Sequence, residues 1–400
     1  MAHPNSGPLP VRPTAGEKYA GSRHVGVLPM GCVQCREGAK LVLFVTGLCD
    51  KECFYCPVSR DKMYRDVMYA NERRVRPGHW EDVIDEAELM DAKGAGITGG
   101  DPMVVADRVA EGVRALKARF GPAFHTHLYT SCAFDLAHLQ RLKDAGLDEI
   151  RFHPEVGEYA RMEASWHHAA IQEALRVGLT TLVEIPCIPG KEAPVLALAG
   201  YLEGVGAHGL NLNELEFSDP NIANLKRRGY EVRDDETQCV AGSRETALAV
   251  LDSWREHRQA TGSAFTVHFC SSPYKDAIQL MQRFRRRAER TARPFEEQTE
   301  EGTLVFGVLR PRSRAQADPA ALGGLAERLR DAYEVPPEWV AVVAGRIETA
   351  PWVAEELAEA GAFEALDVDG WLSEVHPTAQ RIEVERLPLP FRDADGPAAA

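Results

Sequence analysis

Long apolar runs are missing from this 400-residue sequence. Near its start the longest, Leu41–Val45, falls far short of the ~20 residues that a membrane span requires, so no membrane partner is expected. The opening stretch, MAHPNSGPLPVRPTAG, lacks the apolar segment of a secretory leader. It is rich in Pro and Gly, which predicts a flexible segment over residues 1–25 and a cytoplasmic protein. Positive charge is in deficit, with 46 Lys and Arg against 60 Asp and Glu and a formal net charge of −14. Phosphate binding needs clustered cations, so the balance speaks against a large nucleic-acid footprint. The local exception is Arg283–Arg293 (RFRRRAERTAR), read as a solvated helical face paired with acids, or alternatively as an RNA contact.

Cysteine is present but uneven. Of nine cysteines, at 32, 35, 49, 53, 56, 132, 187, 239 and 270, five crowd into residues 32–56. A disulfide scaffold would be shorter and evenly stapled, so one dense patch in a long chain reads as a metal site in a reducing compartment. Cys132 and Cys187 fall on apparent core strands and read as small buried hydrophobes.

From residue 40 onward, short apolar runs alternate with helical periodicity. Strands are predicted at 40–46, 96–98, 125–130, 149–153, 181–186, 211–217 and 265–270. Helices are predicted at 82–93, 104–120, 135–145, 167–177, 193–203 and 243–259. Gly94, Gly146, Gly178 and Gly206 stand just past the helix ends, where a left-handed residue is wanted. The alternation implies βαβ units, a parallel sheet and a barrel-sized domain over 26–293. Pro294 opens a different pattern, with strands at 303–309 and 382–387 and helices at 319–332 and 351–360. It is read as a small α/β domain over 294–392 before a disordered tail, 393–400.

Residues 47–57, GLCDKECFYCP, place Cys49, Cys53 and Cys56 at C-x3-C-x2-C spacing after the first strand. Three thiolates can hold three irons of a cubane and leave the fourth iron open to a small molecule. Tyr55, beside the last thiol, can pack an adenine. A competing reading pairs Cys32-x2-Cys35 with Cys53-x2-Cys56 as a zinc ribbon, which leaves Cys49 unused. The next strand ends in Gly99-Gly100-Asp101-Pro102, where the glycines admit close approach of a ligand and Asp101 could add charge.

This combination resembles the radical S-adenosylmethionine (SAM) superfamily. Cys49, Cys53 and Cys56 with Tyr55 match its cluster loop, and Gly99–Pro102 matches its Gly-Gly-Glu-Pro motif with Asp for Glu. Ile188 and Gly190 match its fifth-strand motif, in which an Ile backbone meets adenine; Pro186 replaces a glycine there, and Glu192 comes one position early. Within the superfamily the chain is most similar to proteins related to the pyruvate formate-lyase activating enzyme. The resemblance covers residues 40–275. It implies a partial (β/α)6 barrel, a [4Fe-4S] cluster, bound SAM, and an electron donor such as ferredoxin or flavodoxin. It also implies a 5′-deoxyadenosyl radical that takes hydrogen from a protein or small-molecule substrate, with tRNA as the alternative substrate. By the same resemblance His153 and Arg151 are candidates for the SAM ribose. Ser131, Arg151, His153, Glu184, Asn213, Glu214 and Glu216 are the polar strand-end residues expected to line the barrel. A second metal, zinc or iron–sulfur, is a candidate at Cys32, Cys35 and Cys270, with His268 or Cys239 nearby in the pattern.

Overall fold

The computed structural model describes residues 20–390, except 235–236, 314–316 and 344. Residues 1–19 of the expected flexible segment and the expected tail lie outside the described residues. The described part of that segment is ordered: Arg23–Val25 is a strand, β1, because its backbone completes the hydrogen bonds of an open sheet edge.

Ten strands form the first sheet. After β1 come β2 (Lys40–Phe44), the hairpin β3 (Met68–Ala70) and β4 (Arg73–Val75), then β5 (Gly94–Thr98), β6 (His125–Thr130), β7 (Glu149–Phe152), β8 (Thr180–Cys187), β9 (Gly209–Glu214) and β10 (Thr266–Cys270). The spatial order is β1-β10-β9-β8-β7-β6-β5-β2-β3-β4. The strands from β2 and β5 through β10 are all parallel, seven in number, one more than the sixfold unit. β1 edges β10 and β3 edges β2, both antiparallel.

The helices follow from periodicity. α1 (Met30–Arg36) precedes β2. α2 (Trp80–Leu89), α3 (Ala106–Phe120), α4 (Ala137–Ala145), α5 (Trp166–Arg176), α6 (Glu192–Gly204), the short α7 (Ile222–Arg227) and α8 (Ser243–Thr261) connect the strands. Gly146, Gly178 and Gly206 take the left-handed conformation past α4, α5 and α6. Gly94 does not; Asp91 turns the chain after α2 with φ +49°, and Gly94 opens β5 instead. A Cβ on Gly94 would meet the His125 carbonyl oxygen at 2.3 Å, so close packing selects the glycine.

The two faces of the sheet differ. On the outer face Leu41, Leu43, Ile97, Leu128, Ile150, Val183, Leu210 and Val267 form the core with the helices. The inner face is polar: Glu184, Asn211 and His268 stand abreast, as do Tyr129 and Arg151. α1 packs against the inner face. A Cβ on Gly31 would meet Arg151 Nη2 at 2.6 Å and His127 Nδ1 at 3.0 Å, so only glycine lets the helix sit this low. Periodicity did not reveal α1, because seven residues carry too little of it.

A second, antiparallel sheet has its own core: β13 (Val340–Val343), β14 (Arg346–Thr349), β12 (Leu304–Pro311), β15 (Val368–Val375) and β16 (Glu383–Leu389), in that order, with β11 (Glu297–Gln298) on β12. Between the sheets runs α9 (Leu280–Thr291), which carries most of the basic run. Its arginines find partners within the protein, although Arg290 stays exposed. Arg283 pairs with Glu72, Arg286 with Asp91 at 2.6 Å, Arg287 with buried Glu86 at 3.2 Å, and Arg290 with Asp91 at 2.9 Å. Beyond the helix, Arg293 reaches Glu296 and Glu348, each at 2.5 Å. The basic run therefore joins the parallel sheet to the antiparallel one.

Candidate active site

The cysteine loop leaves the carboxyl end of β2 and folds against the turn after β5. Gly100 N donates to the Thr46 carbonyl at 2.7 Å and Asp101 N to the Leu48 carbonyl at 2.7 Å. The contact requires both glycines. A Cβ on Gly99 would stand 2.4 Å from Thr46 O; one on Gly100 would stand 2.3 Å from Leu48 O and 2.6 Å from Gly47 O. The atoms that exclude a side chain here belong to the backbone of the cysteine loop.

Asp101 is 1% exposed, and its carboxylate is spent on protein donors. Oδ1 accepts from Met103 N at 2.9 Å and Thr130 Oγ1 at 3.0 Å; Oδ2 accepts from Ser131 N at 2.6 Å and Cys132 N at 2.7 Å. The acceptor positions expected to face a SAM amino group are filled in the structure by donors of the protein itself. The short arm of Asp holds the carboxylate back in the crevice between β5 and β6, where it clamps the two strand ends together.

Ser131 extends this network, its Oγ donating to the His153 carbonyl at 2.9 Å. His153 Nδ1 lies 2.7 Å from the Glu184 carbonyl, to which it must donate, so Nε2 accepts from Tyr55 Oη at 2.8 Å. Both ring nitrogens are thus occupied. His153 positions the ring of Tyr55 and has no nitrogen left for a ribose hydroxyl. Asn221, unremarked in the sequence, ties down the Tyr55 carbonyl at 3.1 Å. Ile188 is buried with Leu215, Phe217 and Val240 beneath Phe54 and Tyr55. Removing the Tyr55 hydroxyl strands a buried acceptor on His153. Tyr55→Phe is expected to cost about 1–3 kcal/mol by denaturant unfolding while the cluster loop retains its iron.

Cys49, Cys53 and Cys56 are half-buried on this loop. Cys132 lies with its sulfur 4.0 Å from Cys49 Sγ. Hydrogen bonding between them lowers the Cys49 thiol towards the thiolate and raises Cys132. Cys132 was read as a core hydrophobe; its place at the carboxyl end of β6, level with the other strand-end residues, was the available signal. Among the described residues no three His, Cys, Asp or Glu side chains converge on one metal ion. A cubane does not require that, since its thiolates bind different irons.

The zinc-ribbon alternative fails on position. Cys32 and Cys35 ride on α1, which packs near the amino-terminal ends of β5 and β6, whereas Cys53 and Cys56 lie beyond the carboxyl end of β2. The barrel lining also needs one change. Arg151 stands between Glu149 and Glu184, 2.6 Å from each, and Asn213 donates to Glu184 at 2.7 Å, all on the inner face. Burial works to raise the Glu184 carboxyl, but Arg151 and Asn213 outweigh it and hold it below the usual range. Glu214 instead faces outward, paired with Arg233 at 2.6 Å and accepting from Ser272 N at 2.9 Å. Alternation along β9 puts Asn211 and Asn213 inside and Glu214 outside. Glu216 lies past the end of β9, bonded to the Ser272 hydroxyl.

A protein of Methanocaldococcus jannaschii described as "Putative glycyl-radical enzyme activating enzyme" is 37% identical over 383 residues, covering 93% of this chain and 96% of that protein. The model of the radical SAM superfamily matches residues 43–193. The chain belongs to the radical SAM superfamily. It is an enzyme, a mixed α/β protein whose parallel sheet forms a partial barrel and whose antiparallel sheet makes a separate unit. Residues 302–389 match a domain model of unknown function. The crystal structure of methylornithine synthase covers 60% of this radical SAM protein and 74% of its own chain, at 11% identity and a TM-score of 0.36. Among the described residues no helix is long and apolar enough to cross a membrane.

The cofactors that the superfamily implies are a [4Fe-4S] cluster and SAM. The donor set fits the cluster in number and spacing: three half-buried thiols on one eight-residue stretch. SAM fits less directly, because Asp101 and His153 are fully engaged within the protein.

Proposed function

We propose that this radical SAM enzyme binds its cluster through Cys49, Cys53 and Cys56, cleaves SAM reductively, and abstracts hydrogen from a substrate protein as an activase. The observation that carries the reading is the three-thiol loop locked by backbone contacts onto the turn at Gly99 and Gly100. When bound, the cluster supplies the electron that cleaves SAM into methionine and a 5′-deoxyadenosyl radical. The chain's own residues do the rest. Gly99 and Gly100 keep the loop seated on the sheet. His153 and Asn221 fix the ring and backbone of Tyr55, which shields the loop from water on one side. Glu184, Asn213 and Asn211 offer acceptors and donors to a substrate segment entering from the carboxyl ends of the strands. The activase assignment is supported by the name of the M. jannaschii relative, and it implies a one-electron donor of the ferredoxin or flavodoxin class.

Anaerobically reconstituted protein, reduced in the presence of SAM, is expected to form 5′-deoxyadenosine, and Cys53→Ala to form none. Equal amounts from the two proteins, or none from either when both are loaded with iron as far as their ligands allow, would remove the reading.

A further inference from the structure

One run of cations is not neutralised by the protein. Residues 220–230, PNIANLKRRGY, contain Lys226, Arg227 and Arg228 and no acid, in a chain of net charge −14. All three are exposed, on and just past the last turn of α7. Among the described residues none of them pairs with a carboxylate: Arg227 donates to Asn224 Oδ1 at 2.5 Å, and Arg228 lies over an aromatic ring. Arg283, Arg286, Arg287 and Arg290 of α9, by contrast, each find an acid. A helix end attracts a cation, but six residues build little dipole, and three adjacent like charges repel one another.

The run is fixed beside the cysteine loop. Asn221, at the start of α7, donates from Nδ2 to the carbonyls of Tyr55 and Glu216, each at 3.1 Å. Leu225 is buried beneath the helix with Ile188 and Phe217. At the other end the Arg228 guanidinium lies 4.3 Å from the centre of the Phe54 ring, and Phe54 follows Cys53 in the chain. The face of Phe54 is parallel to that of Tyr230, with 3° between the rings. Arg60 is balanced by Asp219 at 3.9 Å, and the start of the loop carries exposed acids at Asp50 and Glu52, so an acidic partner is drawn to the α7 side.

We propose that the exposed cations of α7 form the docking surface for the electron donor, a small one-electron carrier protein with carboxylates around its redox centre. The proposal rests on the reading that Cys49, Cys53 and Cys56 hold a reducible cluster. Carboxylates set against Lys226, Arg227 and Arg228 bring the carrier's centre to Phe54, the neighbour of Cys53. The carrier loses one electron per encounter and the iron at the three thiols gains it, and no bond forms or breaks. Charges at the rim of such a contact steer the encounter more than they hold the complex, so their effect belongs to the association rate and fades as salt is added.

The test compares wild type with Lys226→Glu/Arg227→Glu, which leaves the Arg228–Phe54 contact in place, and with Arg328→Glu/Arg330→Glu. The second pair is exposed on α10 (Pro319–Ala332) and changes the net charge equally, away from the loop. The probe is an acidic ferredoxin carrying two [4Fe–4S] clusters. Its association with each protein is measured by surface plasmon resonance, and 5′-deoxyadenosine formation is followed with reduced ferredoxin and, separately, with excess dithionite. At about 0.05 M salt the α7 variant is expected to lose about tenfold or more in association rate and in ferredoxin-driven turnover; at about 0.5 M salt the gap should close. Dithionite-driven turnover should equal that of wild type, and the α10 variant should match wild type throughout. An α7 variant as fast as wild type with ferredoxin overturns the proposal, and so does an equal loss in both variants, which would reflect net charge alone. Retention of tRNA by wild type and its loss in the α7 variant, with ferredoxin turnover unchanged, would assign the run to nucleic acid and overturn it as well. If wild type forms no 5′-deoxyadenosine with dithionite, the reading of the loop fails, and the salt-dependent association of ferredoxin still decides the docking surface.

Discussion

Gly100→Val is expected to strip iron from the cysteine loop, and the loss of SAM cleavage will follow from that. On sequence grounds the glycine keeps a side chain away from the methionine of SAM, so the substitution would be expected to spare the cluster. The structure reverses the order of events. A Cβ at residue 100 falls 2.3 Å from the Leu48 carbonyl oxygen and 2.6 Å from that of Gly47, the residues leading into Cys49. Backbone cannot move aside as the end of a flexible side chain can, and valine adds two methyls to the overlap. Relief requires the loop to lift off the turn, breaking the hydrogen bonds from Gly100 N to Thr46 and from Asp101 N to Leu48. Iron retained after anaerobic desalting should fall at least about tenfold at this site, a change that corresponds to ~1.4 kcal/mol in loop positioning. Wild-type iron content in the variant, with SAM affinity alone reduced, would restore the direct contact with methionine.

The second large effect is expected at Asp101. Asp101→Ala removes an acceptor shared by Met103 N, Ser131 N, Cys132 N and the Thr130 hydroxyl, in a place that water does not reach. Each buried donor left without a partner costs about 1–3 kcal/mol, so the sum is on the order of 4 kcal/mol or more. Asp101→Asn keeps one acceptor oxygen but turns an NH2 group towards donors, so it should lie between alanine and wild type. Denaturant unfolding followed by fluorescence measures the ranking. Wild-type stability in the alanine variant, with weakened SAM binding, would show that the carboxylate serves the ligand and that the clamp is incidental. The clamp also sets the position of Cys132, and through it the sulfur beside Cys49.

Much of the parallel sheet was legible because its strands and helices carry strong local patterns: Leu41–Val45 is apolar on the face that meets the helices, and α3 repeats its apolar residues at helical spacing. The pieces that escaped are short or depend on partners distant in sequence. Arg23–Val25 has only three residues and becomes a strand because β10, more than 240 residues later, offers it an edge. The hairpin of β13 and β14 and the strand β15 were missed for a similar reason, since their pairing partners, not their own sequences, define them. Within the site, the residue types were readable and their duties were not. Asp101 and His153 were assigned to SAM on resemblance; only the coordinates reveal that their polar atoms are already taken by Ser131, Cys132, Tyr55 and Glu184. The arginine run showed the reverse. Its acidic partners, Glu72, Glu86, Asp91, Glu296 and Glu348, are scattered over nearly 280 positions, so a cluster of cations looked free when it was not.

The small strand β1 carries a consequence for handling the protein. β10 is buried along its whole length, and β1 occupies the row of peptide groups that it would otherwise present sideways. Trimming the chain to residue 26, as the Pro- and Gly-rich start invites, would uncover an unpaired, hydrogen-bonding border along β10. Such borders recruit other strands, including those of neighbouring molecules. Shortened versions are therefore expected to be lost to aggregation during expression before the cluster chemistry can be assessed, so that a three-residue strand decides how much protein is recovered.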